Sequence, residues 1–158
     1  MEGAIMDKGD LAKILVPIDG SPTSAKAEKM AIKIARAFDS ELVFVHVIPT
    51  SLHLMPNHDY NVAFEIKNWG NTSVEDEKIA KTYLLNALEG AKRAETKASA
   101  RLYRTTFSVR AAISKVAKDI GVDLIVIGTR GTSVGRVIMG SVTTGVVTSA
   151  ECPVLVVR

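Results

Sequence analysis

The sequence predicts an α/β protein built on a five-stranded, doubly wound parallel sheet with helices on both faces. Three observations predict it. Short aliphatic runs alternate with longer stretches whose apolar residues recur every three to four positions. The runs are apolar at consecutive positions, as strands covered on both faces are. Turn residues separate the segments in the order βαβαβαβαβ.

The first strand reads Lys13 to Ile18, with Pro17, which lacks an N–H, at its end. Ser21 followed by Pro22 is an N-cap and first-turn pair. Ala27, Met30, Ala31, Ile34, Ala35 and Phe38 then recur at helical spacing. The second strand runs from Glu41 to Ile48 and stops at Pro49. From Thr50 to about Thr72 the chain carries Pro56, Gly70 and several asparagines, and it reads as one long irregular loop. A helix from Val74 to Lys97 follows, with Ile79, Tyr83, Ala87, Ala91 and Ala94 as its expected buried stripe. The third strand, Ala100 to Phe107, has few large apolar residues and is expected near an edge. Ile113, Val116, Ala117 and Ile120 share a face of the next helix, and Gly121 ends it. Asp123 to Ile127 is the fourth strand, Ser141 to about Ala150 the last helix, and Pro153 to Val157 the fifth strand.

A chain of 158 residues is expected to form a single domain over 1–158, long enough to bury a core without disulfides. The balance of 20 basic against 17 acidic residues leaves +3, which is too small to imply a nucleic-acid partner and compatible with a small anion. The lone Cys152 excludes an internal disulfide, and there is no CxxC pair for zinc. Met1 to Asp10 lacks a hydrophobic signal core, and no apolar run approaches the roughly 18 residues of a membrane span. The expected location is the cytoplasm, with no membrane partner.

Gly128, Gly131, Gly135 and Gly140 lie between a buried strand and a helix. Glycine lets backbone approach a ligand closely. The helix that starts near Ser141 aims unpaired N–H groups and the positive end of its dipole at the loop, which suits phosphate. Ser141, Thr143 and Thr144 offer hydroxyls, and Arg130 and Arg136 offer charge. There is no GxxxxGK[ST] and no GxGxxG, so neither P-loop hydrolysis nor ordinary dinucleotide binding is indicated. The competing reading is a tight strand-to-helix connection that binds nothing. Asp19 ends the first strand as Gly128 ends the fourth. If these strands are neighbours, the crevice where the winding reverses lies between them. An acidic wall facing an anion cradle suits a nucleotide; the alternative for Asp19 is a turn residue bonding its own backbone.

Val16-Pro17-Ile18-Asp19-Gly20-Ser21, Val45-His46-Val47-Ile48, Asp123 to Gly131, Gly140-Ser141-Val142-Thr143 and Cys152 to Val157 together resemble the universal stress protein family. The resemblance covers nearly the whole chain apart from the loop at 50–72. It implies a Rossmann-like sheet, usually in a homodimer. The family's ATP-binding branch carries Gly, two residues, Gly, nine residues, then Gly with Ser or Thr. Gly128, Gly131, Gly140 and Ser141 match it, but only eight residues, Thr132 to Met139, separate Gly131 from Gly140. By resemblance, Pro17, Asp19, Val47, Ile127 and Gly128 surround adenine and ribose. Gly131, Gly140, Ser141, Val142 and Thr143 surround the phosphates, with Mg²⁺ or Mn²⁺ as a companion ion.

Three functional readings follow: an adenine-nucleotide (ATP) binding stress or regulatory protein, a slow ATP hydrolase or phosphotransferase, and a nucleotide-free interaction module. No residue stands out as a catalytic base. His46, inside a strand, is read as structural. His53 and His58 with Asp59 form a weak metal pattern, Trp69 is a loop anchor or a lid, and Cys152 is a packing residue. The apolar last strand, Pro153 to Arg158, is expected to pair with a second copy.

Overall fold

The computed structural model describes residues 10–49, 64–65, 75–105, 107–129 and 139–158. Along them run β1 (Lys13–Pro17), α1 (Pro22–Phe38), β2 (Glu41–Pro49), β3 (Phe64–Glu65), α2 (Glu75–Arg93), β4 (Ala98–Thr105), α3 (Val109–Ile120), β5 (Leu124–Gly128), α4 (Ser141–Ser149) and β6 (Val154–Val157). The sheet order is β3-β4-β2-β1-β5-β6. The five expected strands pair in parallel.

Alternation along the strands builds two cores. Ile14 and Val16 of β1, with Leu42 and Phe44 of β2, meet Ala27, Ala31 and Ala35 of α1 and Ala80, Leu84, Ala87 and Ala91 of α2. Leu15, Val43, Val45 and Ile125 face the other way, onto Ala112, Ile113, Val116 and Ala117 of α3 and Val146 of α4. The helix faces are largely alanine, and a methyl side chain lets a helix lie close to a sheet of branched residues. Helices thus cover both faces, α1 and α2 one and α3 and α4 the other.

The chain moves outward from β1 to β2 and β4, then returns to add β5 and β6 on the other side. The winding reverses between β1 and β5, which pair at Ile14–Leu124 and Leu15–Ile125. In such sheets the crevice beyond the carboxyl ends of the two strands is where ligands are bound.

Two readings of the sequence need correction. The stretch at 50–72 is not wholly irregular: β3 lies within it and pairs antiparallel with β4, Phe64 opposite Leu102 and Glu65 opposite Arg101. Two residues are too few to show a strand period. The buried stripe of α2 is Glu77, Ala80, Leu84, Ala87 and Ala91, while Ile79 is exposed and Tyr83 half-buried. The small residues, not the largest apolar ones, set the register against the sheet. In α1, Met30 is likewise exposed while Ala27 and Ala31 are buried. Glu77 is buried because it pairs with Arg104 of β4, with Lys81 3.5 Å away on the next turn.

Candidate functional site

A cavity of ≈ 330 Å³ lies at the carboxyl ends of β1, β2 and β5. Its apolar wall comes from Pro17 and Ile18 after β1, Val45 and Val47 of β2, Val109 and Ile113 of α3, Ile127 of β5 and Val142 of α4. Its polar wall comes from Asp19, from Ser21, Thr23 and Ser24 at the start of α1, and from Gly140, Ser141 and Thr143 at the start of α4. Pro17, Asp19, Val47, Ile127, Gly128, Gly140, Ser141, Val142 and Thr143, scattered over the sequence, therefore meet around one space. Gly131, Gly135, Arg130 and Arg136 lie outside the described residues, as do His53, His58, Asp59 and Trp69.

Each wall is held by identifiable contacts. Asp19 Oδ1 accepts the Ser21 N–H at 3.0 Å, so the residue does bond its own turn while its side chain borders the cavity. Ser21 Oγ accepts the Ser24 N–H at 3.1 Å and caps α1. Gly128 sits where β5 meets the first turn of α1: an added Cβ would stand 2.5 Å from Thr23 C and O and 2.8 Å from Ser24 N. Backbone cannot yield as a flexible side chain does, so this glycine is required by packing, whatever occupies the cavity.

The start of α4 differs. Its N-cap is Gly140, and among the described residues no side chain caps the helix. Thr143 is buried, and its hydroxyl donates to the Gly128 carbonyl at 2.9 Å. That hydroxyl has one proton, so it is committed to fastening α4 to β5. Thr144 lies away from the cavity, in a shallow groove between α3 and α4.

His46 borders the cavity, and its Nδ1 donates to the Ile18 carbonyl at 2.6 Å. A carbonyl can only accept, which assigns the proton to Nδ1. The imidazole braces the end of β1, a structural task. Cys152 is half-buried and burial pushes its thiol up, which makes it a poor nucleophile. Among the described residues no three His, Cys, Asp or Glu side chains cluster as a metal site, and no helix is long and apolar enough to cross a membrane.

Sequence reasoning named the glycine-loop side of the cavity but not Thr23 and Ser24, nor Val109 and Ile113. The signal for the first pair was the Ser21–Pro22 cap, because a helix that follows β1 must begin beside the crevice. No local signal marks Val109 and Ile113; they reach the cavity because α3 packs across β2 and β4.

A parallel sheet with a cavity at the reversal of its winding places the chain among α/β proteins of Rossmann-like architecture. Residues 11–158 match the universal stress protein family, and the chain belongs to it. Universal stress protein YxiE of Bacillus subtilis is 36% identical over 156 residues, spanning 92% of this chain and 98% of its own. Among solved structures, a universal stress protein in complex with cAMP has a TM-score of 0.71 at 21% identity, over 95% of this chain and 99% of its own. One from Archaeoglobus fulgidus in complex with dAMP has a TM-score of 0.67 at 19% identity, over 94% and 98%.

Proposed function

We propose that this protein binds an adenine nucleotide, ATP or a shorter homologue, in the cavity between β1 and β5, and that it acts as a homodimeric regulatory protein. The observation that carries this reading is the uncapped start of α4 beside an apolar crevice. Val45, Val47, Ile113, Ile127 and Val142 suit the faces of a purine. The first-turn N–H groups of α4 suit a phosphate, through their unpaired donors and the helix dipole. A volume of ≈ 330 Å³ is at the lower end of the ~300–1,000 Å³ of ligand pockets, enough for the nucleoside part. Adenine as the base is supported by the dAMP and cAMP carried by two relatives of the same fold.

Pro17, Asp19, Val47, Ile127 and Gly128 would surround base and sugar. Gly131, Gly140, Ser141, Val142 and Thr143 would surround the phosphates. Mg²⁺ or Mn²⁺ arriving with a polyphosphate would take most of its ligands from phosphate and water, with Asp19 as the carboxylate at the cavity wall.

The dimer reading rests on β6, which is an edge strand among the described residues and has Leu155 exposed. Edge-to-edge pairing with a second copy would be isologous. A monomer at micromolar concentration in light scattering would overturn it.

The test of the main reading is to denature purified protein, separate the released small molecules by anion exchange, and titrate stripped protein with ATP, ADP and AMP. Bound or titratable adenine nucleotide is the expected result. No heat and no thermal shift with any of the three would leave the interaction-module reading in its place.

A further inference from the structure

The turn that follows β1 is gripped from two sides. Asp19 borders the cavity. From α2, Tyr83 packs against the Ala-rich core, and its ring lies over Gly20. A Cβ added to Gly20 would stand 2.6 Å from Cε1 and Cε2 of that ring and would overlap Cζ. The same ring leans on His46, with centroids 6.0 Å apart and planes tilted by 54°. His46 in turn holds the Ile18 carbonyl, and the Ile18 N–H donates to the Val45 carbonyl at 2.8 Å. Ile18 is thus tied to β2 by two hydrogen bonds, while Gly20 is held by the aromatic ring.

Gly20 has φ +77°, a conformation that L side chains rarely adopt. Glycine reaches it at no steric cost, but by the same freedom it leaves for other conformations readily. A residue with a Cβ would restrain its own backbone; here that restraint has to come from outside. The distal edge of the Tyr83 ring occupies the place where a Cβ would be. Asp19 is joined directly to this glycine, and its carboxylate direction depends on the turn staying closed onto the Ser21 N–H.

We propose that Tyr83 is a positioning residue for the cavity: its ring restrains Gly20 and so holds the Asp19 carboxylate where a bound nucleotide meets it. The second half of this rests on the nucleotide reading above. Tyr83 belongs to α2, which contributes no residue to the cavity lining.

Two measurements test it, one without ligand. In Tyr83→Leu the stem of the side chain still fills the core but the distal ring is gone; Tyr83→Phe keeps the ring. Amide exchange at Ser21, taken relative to Ala117 in α3 to remove global opening, is expected to rise about tenfold in Tyr83→Leu and to stay at the wild-type value in Tyr83→Phe. An unchanged Ser21 amide in Tyr83→Leu overturns the proposal, whether or not any nucleotide binds. In the second measurement AMP affinity is compared in a double-mutant cycle. Tyr83→Leu is expected to weaken AMP about tenfold in the wild-type background and less than about twofold in the Asp19→Asn background. Equal losses in both backgrounds overturn the route through Asp19. If the unsubstituted protein takes no AMP but takes ADP or ATP, the cycle is run with that nucleotide; if it takes none of the three, the nucleotide reading and the ligand half of this proposal fall together, and the amide measurement decides the positioning half.

Discussion

Two helices begin beside the same cavity and are finished differently. The first turn of α1 is capped by side chains: Ser21 Oγ accepts from Ser24 N–H, Ser24 Oγ donates to the Ser21 carbonyl, Asp19 accepts from Ser21 N–H, and Pro22 has no N–H to place. The first turn of α4 has a glycine cap without a side-chain bond, and the Thr143 hydroxyl points back to Gly128. A serine-type cap adds about 1 kcal/mol over alanine in such a place. Where α4 goes without one among the described residues, its first-turn donors suit an anion. The contrast separates a helix end that serves the fold from one that is open to a ligand.

The strongest way to break this contrast is to close α4 artificially. Gly140 has φ −63° and ψ 158°, a backbone that any residue adopts. Gly140→Asp supplies a cap and puts a carboxylate where a phosphate would lie. Nucleotide affinity is expected to fall about a hundredfold from like-charge repulsion, with the melting temperature unchanged or higher; unaltered affinity in a calorimetric titration would refute the α4 site.

Next in size, Gly128→Val forces a side chain into the backbone of Thr23 and Ser24. It is expected to cost about 2–3 kcal/mol in urea unfolding, with or without ligand. A loss of affinity at full stability would instead give this glycine a purely binding role.

Ser21→Ala removes the cap on the side-chain-capped end. About 1 kcal/mol of stability should be lost, while nucleotide affinity changes far less than in Gly140→Asp. The reverse ranking in the same two assays would erase the distinction between the two helix ends.

The smallest effect concerns how α1 is held further along. Glu28 lies against Gly90 of α2, and burial raises its carboxyl above the ordinary value despite nearby Lys29. The raised group favours the folded state fully below the unfolded carboxyl range, near pH ~4.3, and this contribution is lost as pH rises through the folded value. Glu28→Gln should therefore match wild type below about pH 4 and unfold at slightly higher temperature than wild type at neutral pH. Parallel melting curves across that window would show that Glu28 is solvated instead.

Much of the fold was legible because its signals are local. Consecutive aliphatics mark β1, β2, β5 and β6, Ser21–Pro22 starts α1, and Gly121 ends α3 with φ 62°. The glycines around 128–140 and the aspartate at 19 pointed to the crevice because both follow strands. The stripe of α2 was misread because periodicity gives a set of faces, and only contact with the sheet chooses the alanine one. β3 was missed because its two residues acquire strand character only from β4.

By itself the sequence determined which segments become strands and helices, where α1 and α3 are capped, and that the glycine loop precedes a helix. Tertiary structure alone decided that the Thr143 hydroxyl is taken by Gly128, 15 residues away, that Glu77 is buried against Arg104, 27 residues away, and that Tyr83 covers Gly20. The physical reason is common to all three. Propensity and capping act within a turn or two of the chain, whereas these contacts exist only once the parallel register has set strands and helices side by side.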